Sequence, residues 1–157
     1  MRGRPQWHVR SAETADLPAA ARLLHDFNAE FDDLTPAPTE IAARLEVLIA
    51  AGDTVVLVGG AGPDGLAVLR LRPNLWTPRL ECYLAEFYVR PPLRGGGLGR
   101  ALLEATLAHA RAVGADRIEL GTSQDDVAAM ALYESMGFIN REGGPDGPVM
   151  YVYELDL

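Results

Sequence analysis

The chain has 157 residues, of which 48% are hydrophobic and 23% charged, as expected for a globular protein with one sizeable core. Its 14 basic and 22 acidic residues give a formal net charge of -8. This charge argues against general nucleic-acid binding, which depends on neutralising phosphates. No apolar run approaches the ~20 residues of a membrane span, and the basic start MRGRPQWHVR lacks the apolar segment of a signal peptide. We therefore expect one cytoplasmic domain over residues 1–157, with no membrane partner.

The first half of the chain predicts one strand, two helices and a β-hairpin. A short strand at 7–10 is followed by apolar residues at helical spacing over 17–31, with Asp16 as the N-cap. Thr39 then caps a second helix, which Gly52 ends. Two apolar runs around a Gly/Pro/Asp turn, TVVLVGGAGPDGLAVLRLR, predict the hairpin.

The second half predicts a strand–helix–strand crossover and a C-terminal strand. A strand over 82–89 runs into a glycine-rich turn and a helix that stops at Gly114, and a second strand covers 117–120. Such a crossover makes its two strands parallel, whereas short turns make the others antiparallel. A helix at 127–136 and an alternating segment at 149–155 follow. The sequence thus predicts an α/β (α+β) fold, with a mixed, mostly antiparallel sheet of about six to seven strands and about four helices on its two faces.

The glycine-rich turn is the strongest functional signal in the sequence. It reads RGGGLGR and comprises Arg94, Gly95, Gly96, Gly97, Leu98, Gly99 and Arg100. Glycine allows backbone conformations and close approaches that a side chain forbids. The amides at the start of a helix lie at the positive end of its dipole and bind anions. The pattern therefore predicts a phosphate-binding turn.

Three kinds of phosphate site have glycine-rich turns, and two of them do not fit. A P-loop requires Gly-Lys followed by Ser or Thr, and the chain has no Lys-Ser or Lys-Thr pair. A dinucleotide-binding turn requires a third glycine after Gly99, where Ala101 and Leu102 stand instead, and it does not follow three antiparallel strands. The turn fits the R-x-x-G-x-G pattern of acetyl-CoA-binding acyltransferases at every position.

Two segments, YVRPPLRGGGLGRALL and ALYESMGF at 131–138, give the chain a recognisable family resemblance. With the element order, they make the sequence similar to the GNAT superfamily of N-acetyltransferases over nearly its whole length. The resemblance implies transfer of an acetyl group from acetyl-CoA to a primary amine by direct attack, with both substrates bound together. No metal is expected, because His8, His25 and His109 do not have metal-ligand spacing. The resemblance makes a homodimer plausible, formed through the C-terminal strands.

The resemblance places the coenzyme at the end of the strand and on the turn. Main-chain groups of Phe87, Tyr88 and Val89 are expected to bond the acetyl carbonyl and the pantetheine arm, after a bulge that separates the strand from its parallel neighbour. An N–H aimed at the carbonyl oxygen would stabilise the charge of the tetrahedral intermediate. The turn amides would bind the pyrophosphate, with Arg94 and Arg100 adding positive charge.

Two side chains are candidates for proton transfer. The phenol of Tyr133 would protonate the thiolate that leaves, and Glu86 would take a proton from the attacking amine, directly or through water. Glu86 is out of phase with Ala85, Phe87 and Val89, so we expect it on the opposite sheet face. A structural glutamate and a half-buried tyrosine remain the alternatives. Asp126 replaces a frequent Asn of the family and is expected to contact the coenzyme or a cationic substrate.

The amine acceptor is the least defined part of the prediction. Candidate substrate-binding residues are Asp32, Asp33, Trp76, Glu81 and Asp125, whose carboxylates would suit a polyamine or an aminoglycoside-like amine. A peptide amine is an equal alternative. A non-catalytic CoA-binding sensor or interaction module of the same fold is the alternative to an enzyme.

Overall fold

The structure is a computed structural model that describes residues 6–157. Residues 1–5, half of the basic start that argued against a signal peptide, lie outside this description. The described residues divide into two compact units, one ending at Leu120 and the other spanning Gly121–Leu157. None of the described helices is long and apolar enough to cross a membrane.

The first unit contains the sheet and the first three α-helices. Its elements are β1 (Val9–Ser11), α1 (Leu17–Ala29), α2 (Pro38–Ala50), β2 (Thr54–Gly59), β3 (Gly65–Pro73), β4 (Leu80–Val89), α3 (Leu98–Ala112) and β5 (Ala115–Glu119). Short 3₁₀ turns at Thr14–Asp16 and Pro91–Leu93 precede α1 and α3. The second unit contains α4 (Val127–Ser135) and the C-terminal tail.

The sheet is mixed and mostly antiparallel, as predicted. Its strand order is β1-β2-β3-β4-β5, with β1 to β4 antiparallel and β5 parallel to β4. The hairpin of β2 and β3 and the crossover from β4 through α3 to β5 are therefore confirmed. The predicted strand number is wrong, because the described residues form five strands rather than six to seven.

The missing strand is the C-terminal one predicted at 149–155. This tail makes a single antiparallel bridge, between Arg141 and Val149, and its large side chains are exposed, Tyr153 by 91%. Alternation in a sequence indicates which side chains share a face, but a strand also needs a neighbouring strand to bond its amides. The second unit contains no strand beside the tail, only α4 and this one bridge, so the alternating pattern does not produce a strand there.

The two faces of the sheet bury different helices. Leu66, Val68 and Tyr88 pack with apolar residues of α1 and α2 on one face. On the other face, Val89 packs against Leu98 and Leu102 of α3. Glycine makes the α3 contact close, because a Cβ on Gly65 would lie 2.9 Å from Leu102 Cδ1.

Of the two predicted helix caps, Asp16 lies at the predicted position without a side-chain cap, and Thr39 does not lie at a cap. Asp16 is the N-cap residue of α1, but its side chain accepts from the Glu13 amide at 2.8 Å and pairs with Arg10 instead of capping the helix. The second helix begins at Pro38 with Ala37 as its N-cap, so Thr39 lies inside the first turn. Proline at this position needs no amide partner, which makes a side-chain cap less necessary.

Candidate active site

A β-bulge near the middle of β4 shapes the candidate site. Leu84 pairs with Leu69 and Glu86 pairs with Val68, which leaves Ala85 as the extra residue of β4. Parallel pairing with β5 already ends at Tyr83. The last six residues of β4 thus have no β5 partner, and all of them except the bulged Ala85 pair with β3, which agrees with the expected separation of the two strands.

The orientation of the main chain beyond the bulge follows from one hydrogen bond. The Arg90 amide donates to the Asp64 carbonyl at 3.0 Å, so it faces β3. Because main-chain groups alternate between the two edges of an antiparallel strand, those of Tyr88 also face β3. Those of Phe87 and Val89 face the edge that β5 does not cover. Of the three residues to which the resemblance assigned the acetyl and pantetheine contacts, Phe87 and Val89 thus present main-chain groups at this edge, whereas Tyr88 does not.

The bulge also decides which residues share a face with Glu86. Its partner Val68 belongs to the core cluster under α1 and α2, whereas Val89 packs toward α3. Glu86 is therefore opposite Phe87 and Val89, as predicted. The prediction is wrong for Ala85, which packs on the same side as Glu86 because a bulge places two consecutive residues opposite one.

Glu86 is half-buried, and no hydrogen-bond or ion-pair partner for its carboxylate is found among residues 6–157. Burial raises the pKa of this carboxyl above its ordinary value. A carboxylate that loses water without gaining a partner holds a proton more strongly, which makes it a better proton acceptor.

The turn after β4 presents main-chain amides at an exposed surface. Gly95 and Gly97 have φ of +79° and +95°, and Gly97 is the N-cap residue of α3. The first intrahelical hydrogen bond of α3 runs from the Ala101 amide to the Gly97 carbonyl, at 3.0 Å. The amides that precede Ala101 in the helix have no acceptor within it. The turn therefore suits an anion at the positive end of the α3 dipole.

Trp7 contacts this turn from the core side, and no sequence pattern predicted the contact. Its indole Nε1–H donates to the Gly96 carbonyl at 2.8 Å, across 89 positions of the chain. The ring also packs with Val89, Leu98 and Leu102. A local sequence pattern cannot reveal such a contact, because it depends on how β1 lies beside the rest of the sheet.

A second contact joins the turn to α1. Arg94 donates to both carboxylate oxygens of Glu30, at 3.0 and 3.1 Å, and its Nε donates to the Val89 carbonyl at 2.8 Å. Tyr88 donates its hydroxyl proton to Glu30 at 2.6 Å. These bonds, chiefly that from Tyr88, lower the pKa of Glu30. The Arg94 charge that was expected to serve an anion is thus already offset by Glu30.

The second unit places two predicted residues on α4. Asp126 is the N-cap residue, and its carboxylate accepts from the Ala129 amide at 3.2 Å. Tyr133 is 9% exposed, and burial, with a smaller contribution from the Asp126 charge, raises its pKa to about 12. At neutral pH the phenol therefore keeps its proton and can donate it.

The predicted substrate-binding residues are not joined in one cluster. Asp32 and Asp33 are exposed after α1, and Asp125 is exposed before α4. The Glu81 charge is compensated by Arg72, at 2.6 Å. Trp76 is 87% exposed in the loop between β3 and β4. Among the described residues of the first unit, no hydrogen bond or ion pair joins the side chains of Asp32, Asp33, Trp76 and Glu81 to one another.

A cavity of about 560 Å³ lies beside that loop, lined by Asn74, Thr77 and Arg79 and by Val113 and Gly114 after α3. It adjoins the C-terminal end of α3, a helix of 15 residues and about 22 Å in length. The cavity is thus far from the glycine turn at the other end. Within the described chain, no group of three or more His, Cys, Asp or Glu side chains is placed to hold a metal ion.

Comparison with known proteins identifies the family. The model of the acetyltransferase (GNAT) family matches residues 15–138. The chain belongs to this family. The bulged β4 and the glycine turn before α3 are the two features that the family resemblance implied. Proteins of the family use acetyl-CoA.

Individual relatives differ in the acceptors that their names state. The chain is 43% identical to an IAA acetyltransferase of Azospirillum brasilense, over 83% of this chain and 82% of the relative. It is 30% identical to an aminoglycoside N(6')-acetyltransferase type 1 of Stenotrophomonas maltophilia, over 85% and 87%. It is 38% identical to a mycothiol acetyltransferase of Thermobispora bispora, over 66% of this chain but 30% of that protein. The chain thus spans less than a third of the length of that mycothiol acetyltransferase.

Among solved structures, a protein from Arthrobacter sp. FB24 superposes with a TM-score of 0.84 and 42% identity. The match covers 99% of this chain and all of that one. An aminoglycoside acetyltransferase from a soil metagenome, solved with sisomicin, superposes with a TM-score of 0.73 at 17% identity, which shows a common fold alone.

Proposed function

We propose that this GNAT protein transfers an acetyl group from acetyl-CoA to a primary amine. The observation that carries the proposal is the course of β4, whose end beyond the β5 pairing leads into exposed glycine amides at the start of α3. This arrangement suits an extended ligand with an anionic middle. Main-chain groups of Phe87 and Val89 bond the acyl end, and the amides from Gly95 to Arg100 bind the pyrophosphate.

The reaction is a direct displacement. The neutral amine attacks the thioester carbonyl carbon, and its excess proton passes to Glu86, directly or through one water. The main-chain N–H of Val89 stabilises the oxyanion. The carbon–sulfur bond then breaks, and Tyr133 donates its phenolic proton to the leaving thiolate. The role of Tyr133 rests on the segment ALYESMGF; its pKa of about 12 means only that the phenol carries a proton at neutral pH.

The acceptor is a small or peptide amine. Relatives whose names state an aminoglycoside or mycothiol support a small acceptor. Asp32, Asp33, Trp76, Glu81 and Asp125 remain the proposed acceptor residues, and Glu81 contributes little charge because Arg72 compensates it. Asp126 is chiefly a helix cap, and its contact with coenzyme or substrate remains a prediction, as do the single domain and the homodimer.

The test is thiol release from acetyl-CoA with a polyamine, an aminoglycoside, amino acids and a short peptide as acceptors. We expect Tyr133→Phe and Glu86→Gln each to lower kcat by about 100-fold or more, as is usual when an acid or base is lost. Tyr151→Phe and Glu104→Gln, which alter exposed side chains of the same types, are the matched controls. Coenzyme binding without turnover on any amine would favour the sensor alternative, and absence of coenzyme binding would overturn both.

A further inference from the structure

We infer that Trp7 is a positioning residue for the anionic part of the donor, acting through the Gly96–Gly97 peptide. This inference rests on the proposed function, because it concerns how the turn receives the pyrophosphate of acetyl-CoA. No motif of the turn includes Trp7, which lies 89 positions before Gly96.

The first step concerns the direction of one amide. The indole Nε1–H holds the Gly96 carbonyl at 2.8 Å, so this carbonyl points toward the ring. In a trans peptide the carbonyl of one residue and the N–H of the next point in opposite directions. The N–H of Gly97 is therefore directed away from Trp7. Since Trp7 lies with Val89, Leu98 and Leu102 on the core side, the opposite direction is the outer surface of the turn.

The second step concerns why the turn needs such support. A glycine-rich segment can adopt many backbone conformations, and the observed one requires positive φ at both Gly95 and Gly97. A flipped Gly96–Gly97 peptide would present a carbonyl oxygen, rather than an amide, to the anion. The indole opposes this flip by its hydrogen bond to the Gly96 carbonyl. The ring lies close to the turn, since a Cβ added at Gly97 or Gly96 would stand 3.6 or 3.7 Å from Trp7 atoms.

The third step separates this role from ordinary core packing. Val9 packs in the same apolar cluster as Trp7 but makes no hydrogen bond with its side chain to the turn. A change at Val9 therefore loosens the core without releasing the Gly96 carbonyl. Phenylalanine at position 7 keeps most of the ring contact and removes the N–H donor. The two substitutions thus differ in the hydrogen bond more than in the packing.

The experiment compares Trp7→Phe and Val9→Ala with two acetyl donors, acetyl-CoA and S-acetylpantetheine, which has no pyrophosphate. For Trp7→Phe we expect a rise of about five- to tenfold in KM for acetyl-CoA, the size of one ordinary hydrogen bond. We expect kcat at saturation to stay within twofold, and KM for S-acetylpantetheine to stay the same. Val9→Ala lowers the melting temperature but leaves both KM values within twofold.

A spectroscopic measurement covers the case in which Trp7→Phe does not fold. Trp7 and Trp76 are the two tryptophans of the chain, so Trp76→Phe leaves Trp7 as the single reporter. CoA is expected to change its fluorescence, whereas pantetheine is not. Equal loss with both donors, or fluorescence that CoA does not change, would overturn the inference. A wild-type protein that binds no CoA would instead overturn the proposed function.

Discussion

Gly65 at the start of β3 offers a direct test of how closely α3 and β4 pack. A Cβ at this position would lie 2.9 Å from Leu102 Cδ1 and 2.9 Å from the Tyr88 carbonyl oxygen, with Val89 Cγ2 at 3.3 Å. The leucine side chain can rotate away. The carbonyl belongs to the backbone of β4, so in Gly65→Ala the two strands must move apart by a few tenths of an ångström.

The cost of this movement follows from overpacking. Extra methyl groups in a packed core cost about 1–3 kcal/mol, and replacing glycine by alanine returns about 0.4–1 kcal/mol through the unfolded chain. We therefore expect Gly65→Ala to lower the free energy of unfolding by about 1–2 kcal/mol, or the melting temperature by about 2–8 °C for a chain of this size. KM for acetyl-CoA should rise, because Val89 is the direct partner of Gly65 in the sheet.

Gly121→Ala is the matched control for thermal and urea unfolding. Gly121, like Gly65, has no positive φ, but the nearest atom to its Cβ position is Val152 Cγ2 at 3.7 Å, an ordinary contact. Gly121→Ala should change the free energy of unfolding by no more than about 0.5 kcal/mol. Equal stability of the two variants would refute the argument from close packing.

Three further substitutions test single side chains. By urea unfolding, Glu86→Gln should be more stable than the wild type at pH 7 and equally stable near pH 3. Burial raises the pKa of Glu86, so the folded wild type loses stability as the pH rises and this carboxyl must ionise. Glu30→Gln should destabilise at pH 7, and the difference should vanish as pH falls through the lowered pKa of Glu30; a difference that persists in acid would contradict its ionic origin. Asp126→Ala should cost about 1 kcal/mol through loss of the α4 cap, whereas Asp125→Ala, which removes no cap, should cost less than half of that.

The sequence predicted the parts of the site that are built from neighbouring residues. The turn from Arg94 to Arg100 and the crossover around it are local patterns, because glycine spacing and helical periodicity report on backbone conformation directly. Whether neighbouring strands are parallel or antiparallel followed from the lengths of the connections between them.

The remaining features depend on contacts between distant parts of the chain. Glu30 reaches Arg94 across 64 positions and Trp7 reaches Gly96 across 89, which no pattern within a window can reveal. The face of Ala85 was predicted wrongly because an inserted residue in β4 breaks the two-residue period. The C-terminal strand was predicted wrongly because its alternation says nothing about a bonding neighbour.

The pairing of Arg94 with Glu30 has a consequence for the rate at which an anionic donor reaches the turn. With that guanidinium compensated, the attraction at the turn comes from main-chain dipoles, which act over short distances, and from the side chain of Arg100. The chain as a whole carries a formal charge of -8 and repels acetyl-CoA at longer range. Salt screens this long-range repulsion more strongly than it weakens the short-range hydrogen bonds. Association with the coenzyme should therefore become faster, not slower, as the ionic strength rises.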